Sequence, residues 1–171
     1  MTASASDNTA VEFLRHTVAT LAYRAGKVLR DAPPEFATVK LNDDVRTPLE
    51  IVGHLGDLIE WARRLADGSG PWQAASTGRF ESDVERFFTA LARLDAYLAA
   101  HPALAQPATT IFQAPIADAL THVGQLAMLR RCAGAPIRPE SYAKAEIVTG
   151  RVGLDQARPG REFDGDASAR R

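Results

Sequence analysis

The chain has 171 residues, 46% of them apolar and 24% charged, so it is long enough to bury the core of one domain and has the make-up of an ordinary water-soluble protein. A formal net charge of −1 offers no electrostatic footprint for nucleic acid or an anionic membrane, and no apolar run approaches the roughly 20 residues of a membrane span. The single cysteine, Cys132, excludes an intramolecular disulfide; with an N-terminus lacking the basic and apolar regions of a signal peptide, it points to the cytoplasm.

Residues 1–8 have the composition of a short disordered polar tail. Thr9-Ala10-Val11-Glu12 has the spacing of a capping box, and Val11, Leu14, Val18, Leu21, Ala22, Ala25 and Val28 then recur at helical period to about Arg30. Asp31-Ala32-Pro33-Pro34 ends this helix. A connection of about a dozen residues without strand alternation follows. Thr47-Pro48-Leu49-Glu50 is a strong start signal, with Thr as N-cap, Pro at the first helical position and Glu reciprocating three residues on. The second helix carries Ile51, Val52, Leu55, Leu58, Ile59, Ala62 and Leu65 and stops at Gly68.

A Gly-, Ser- and Pro-containing loop runs from Gly68 to Arg79, and Ser82-Asp83-Val84-Glu85 is a third capping-box pattern. It predicts a helix with Val84, Phe87, Phe88, Leu91, Leu94, Tyr97 and Leu98 on its apolar stripe, ending near His101-Pro102. A fourth helix is expected from near Pro115 to Gly134. Four amphipathic helices without a convincing strand predict an all-α four-helix bundle. The rest of the chain is a C-terminal extension of mostly irregular structure, with a short helix within Ser141–Val148 and a disordered tail at 164–171.

Chemistry concentrates on the fourth helix. Asp118 and His122 lie four residues apart, which places them on one helix face. His54 lies beside the apolar stripe of the second helix, and bundles build metal sites by projecting ligands inward from facing helices. Together the three make a two-histidine, one-carboxylate set that leaves coordination positions open; Zn²⁺, Ni²⁺, Fe²⁺ and Mn²⁺ all accept such donors. Spacing alone equally fits a hydrogen-bonded surface pair at Asp118 and His122 and a satisfied boundary histidine at His54. Asp57, three residues beyond His54, is a candidate acceptor to its ring, and Gln125 a candidate partner within the pocket. Cys132, ten residues beyond His122 and about 15 Å along the helix, cannot reach the same ion and is expected to pack as a small buried residue. His16 and His101 are not expected to be ligands. Trp61 and Trp72 fit either the core or a pocket wall. No nucleophile-elbow or phosphate-loop motif is present.

The stretches TPLEIVGHLGDLIEWARRL and THVGQLAMLRRCAGAPI resemble the second and fourth helices of the DinB/YfiT-like metal-binding bundles, and SYAKAEIVTGRVGLDQ resembles the extension found in part of that superfamily. The resemblance covers residues 9–163 as one domain. It implies one metal-binding histidine on the second helix, matched by His54, and two ligands four residues apart on the fourth, matched by Asp118 and His122. Asp118 departs from the pattern, standing where most members have histidine, and Val123 replaces a frequent arginine. The resemblance further implies a homodimer and a metal-dependent transferase that joins a low-molecular-weight thiol of the bacillithiol, mycothiol or glutathione class to an electrophilic small molecule. Hydrolysis by metal-bound water would use the same open position. The alternative is a non-catalytic metal-binding or stress-associated bundle.

Overall fold

A computed structural model describes residues 5–163. The expected tail at 164–171 and the first four residues lie outside that range. Helix α1 spans Ala5–Leu29, so it begins four residues ahead of Thr9, and residues 5–8 are helix rather than tail. The Thr9–Glu12 pattern lies within α1 and is not its start. Once the stripe beginning at Val11 is packed, each preceding residue extends the helix for one more backbone hydrogen bond without a new nucleation cost. That stripe is buried over its whole predicted length, from Val11 to Val28. Asp31, in the left-handed region at φ 53°, turns the chain out of α1 ahead of Pro33 and Pro34.

A 3₁₀ turn, Pro34–Thr38, buries Phe36 and leads to α2, Pro48–Asp67. The start of α2 is built as its sequence predicts. The Thr47 side chain accepts from the Glu50 N–H, and the Glu50 carboxylate accepts from the Thr47 N–H at 2.7 Å. Its end is equally legible: Gly68 caps it in the left-handed conformation (φ 74°), donating its N–H to the Arg64 carbonyl.

Helix α3 spans Phe80–Ala100 with Arg79 as N-cap, three residues earlier than Ser82 would have placed its cap. Two tertiary contacts account for the shift. Phe80 packs edge-on against Phe36 at 6.2 Å between ring centroids, and the carboxylate of the fully buried Asp83 holds the preceding loop. The fourth rod also begins earlier than Pro115. It comprises the short α4 (Ala108–Ile111), a π-helical turn (Phe112–Ile116) and α5 (Ala117–Cys132). Pro115 has no N–H for the ordinary helical ladder; the widened π turn absorbs the break and lets the rod continue.

Both α3 and α5 pack on α1 and on α2, forming a four-rod bundle around one apolar core. The described residues form no strand, only an isolated bridge between Glu140 and Glu162. No helix among them is long and apolar enough to cross a membrane. The extension is strapped to α1. Glu140 accepts from the Tyr23 hydroxyl at 2.5 Å and the Lys27 ammonium at 2.8 Å, while Glu162 pairs with Lys27 at 2.9 Å. The helix expected within Ser141–Val148 is a single 3₁₀ turn, Tyr142–Lys144.

Candidate metal centre

His54 projects from α2 and faces Asp118 and His122 on the first two turns of α5. The π turn just before α5 contributes to this meeting, because one extra residue in a turn rotates everything after it by about 100°. With that phase, Ala119, Val123, Leu126 and Leu129 enter the core, and Asp118, His122 and Gln125 line the neighbouring face.

The His54 Nε2 lies 3.5 Å from Asp118 Oδ2, and the His122 Nε2 lies 3.6 Å from Asp118 Oδ1. These separations exceed ordinary hydrogen-bond lengths. They match the edge of a ligand tetrahedron, since donors at about 2.1 Å from a four-coordinate ion lie about 3.4 Å apart. One donor atom from each of the three residues falls within 4.8 Å of the others, so the group can hold a metal ion. The donor set fits a divalent cation: two imidazoles and one carboxylate, with Asp118 half-exposed and His122 buried.

Protonation favours the same role. The Nδ1 of His122 is 2.7 Å from Gln125 Oε1; with that oxygen accepting, the proton sits on Nδ1 and Nε2 keeps a free lone pair. Burial holds the His54 imidazole below the ordinary histidine pKa, reinforced by the nearby His122 and Arg46 and opposed by Asp118. Its neutral, ligand-competent form therefore persists to lower pH.

The other expected partner, Asp57, does not act on His54. It is buried and accepts from Arg86 Nη1 at 2.7 Å and from the Ala75 N–H at 3.0 Å. Three residues of helix turn it away from the His54 ring, toward α3. Arg86 also donates to Asp83 at 3.0 Å and to the Gly53 carbonyl, while Asp83 takes Ser76 Oγ at 2.8 Å and the Thr77 N–H at 3.0 Å. The approach of Arg86 depends on Gly56, where a Cβ would stand 2.7 Å from the guanidinium carbon. This knot pins the 68–79 loop over α2 and with it Trp72, whose ring lies 5.3 Å from the His54 ring and 5.9 Å from that of Trp61. Trp72 thus packs beside His54, with Trp61 behind it, and does not line the cavity described below.

Cys132 is exposed, not buried as expected: the last turn of α5 points it away from the core. His101 is exposed and stacks on Tyr97; His16 lies near Thr149. Neither joins the centre.

His54, Asp118 and His122 line a cavity of about 570 Å³, bounded also by Asp44, Val45 and Arg46 from the loop before α2 and by Met128 and Leu129 from α5. Sequence reasoning missed the loop residues, which carry no motif and reach the site only through the fold. Comparison with family models, curated proteins and solved structures finds no match for this chain.

Proposed function

We propose that this chain is a divalent-metal-binding helical bundle of the DinB/YfiT-like kind, with His54, Asp118 and His122 as its protein ligands. The observation that carries the reading is the convergence of three donor atoms from two helices, within 4.8 Å, at the floor of a cavity. Three protein ligands leave positions for an exogenous group, as catalytic sites do and closed structural sites do not. We further propose that the exogenous group is a low-molecular-weight thiol, transferred to an electrophilic small molecule.

A divalent ion here would act as a Lewis acid, stabilising the thiolate form of a thiol at neutral pH. The chain's own part is positional. His54 and His122 present ring nitrogens, Asp118 offsets part of the ion's charge, Gln125 orients His122, and the Trp72 ring packs beside that of His54. The exposed Cys132, ten residues beyond His122, stands about 15 Å away along the helix axis. It cannot supply the sulfur, so the thiol must come from outside.

The test is metal content by elemental mass spectrometry on untagged protein, beside His54→Ala and Asp118→Ala. Near-stoichiometric metal in the parent, lost in both variants, is the expected result. Metal that survives both substitutions, or none after loading with Zn²⁺, Ni²⁺ or Fe²⁺, would overturn the reading. Metal binding without thiol-dependent turnover of any electrophile would leave a non-catalytic binding bundle.

A further inference from the structure

Among the described residues, Arg46 is the one cationic side chain lining the cavity over the metal ligands. It makes no hydrogen bond, ion pair or ring contact among the described residues, although its charge is felt at His54. Asp44 lines the same cavity and forms no ion pair with it. The backbone at this point is well anchored. Arg46 immediately precedes Thr47, whose N–H and hydroxyl are both tied to Glu50 at 2.7 and 2.8 Å, so the base of the arginine is fixed to the start of α2. The same cavity is also lined by apolar side chains, among them Val45, Ile51 and Leu129. A cavity of about 570 Å³ accepts a small molecule rather than a lone water.

We propose that Arg46 sets the specificity of the site for ligands carrying a carboxylate, by gripping that group while another part of the molecule occupies the metal's open position. This rests on the metal reading above. A planar guanidinium with several donors in a fixed fork matches a carboxylate with two parallel hydrogen bonds, and the exposed Arg46 is open to an incoming ligand. With a divalent ion bound, that ion and Arg46 outweigh the charges of Asp118 and Asp44, so the cavity as a whole favours an anion. The apolar side chains in the lining suit the short carbon chain of such a ligand.

The test uses the full chain loaded with Co²⁺ and two small thiols, 3-mercaptopropionate and 2-mercaptoethanol, which differ in bearing a carboxylate or a hydroxyl. Ligand-field absorption reports the bound cobalt, and the sulfur-to-cobalt charge-transfer band reports the thiol. The expected result is binding of 3-mercaptopropionate at least about tenfold tighter than of 2-mercaptoethanol. Arg46→Gln should erase that preference and Arg46→Lys retain part of it, both with unchanged cobalt bands. Equal binding of the two thiols, binding of neither, or a preference that survives Arg46→Gln would overturn the role of Arg46 while leaving the metal site standing. Absence of the cobalt bands in the parent protein would overturn the metal reading and this inference together.

Discussion

Two polar clusters grow from one turn of α2 and have opposite characters. On one side Asp57, with Asp83 and Arg86 of α3, forms a knot in which the carboxylates meet their donors at 2.7–3.0 Å and both acids are buried. On the other, His54 meets Asp118 and His122 at 3.5 Å and beyond, beneath an open cavity. The knot is complete within the protein. Every donor it needs comes from the chain, so it can only hold structure. The histidine cluster gathers donor atoms without satisfying them against each other, the arrangement expected of a place where something else binds. Sequence spacing put Asp57 with His54. Helical phase divides them, turning Asp57 into the knot and His54 toward Asp118 and His122.

The largest expected effect comes from breaking the knot. Arg86→Ala leaves two buried carboxylates without their counter-charge and should lower the unfolding free energy by about 3 kcal/mol. His54→Ala should change it by less than about 1 kcal/mol in metal-free protein. Urea denaturation of the two variants checks this; comparable losses would show that the histidine cluster is structural as well. A smaller effect separates orientation from ligation. Gln125→Ala should weaken metal affinity by about tenfold to a hundredfold, with the stability of the metal-free protein unchanged, as read by competition with a chromophoric chelator.

The smallest effect is in the pH response of the knot. Burial pushes the Asp83 carboxyl up, but the hydrogen bonds from Thr77, Ser76 and Arg86 together outweigh it and hold its pKa below the ordinary 3.8. As pH falls the unfolded chain takes up this proton first, so the stabilisation is present above 3.8 and is lost as pH drops through the lower folded-state value. The advantage of the parent over Asp83→Asn in denaturation midpoint should therefore shrink between about pH 5 and pH 3. A constant difference across that range would mean that the ionised form is not what the knot prefers.

Legibility in the sequence followed the range of the forces involved. The apolar stripes of α1, α2 and α3, the capping box at Thr47 and the stop at Gly68 were all readable, because each depends on residues within a turn or two of one another. The same rule misled where tertiary contacts competed with a local signal. Ser82 looked like a cap, but Asp83 was recruited to the 68–79 loop and Phe80 to Phe36. Pro115 looked like a helix start, but the π turn carries the rod through it. Cys132 looked like a packing residue only while the register of α5 was unknown.

By itself, the sequence determined an all-helical chain of four rods, their apolar faces, and the four-residue spacing that puts Asp118 and His122 on one helix face. Those are properties of period and short-range chemistry, and they survive without knowledge of the partners. Only the tertiary structure decided that His54 faces α5 while Asp57 faces α3, that Trp72 comes back over His54, and that Arg46 stands on the cavity wall. Each depends on where separate elements dock and how far a helix is rotated, and a rotation of about 100° per residue makes a single-residue difference decisive.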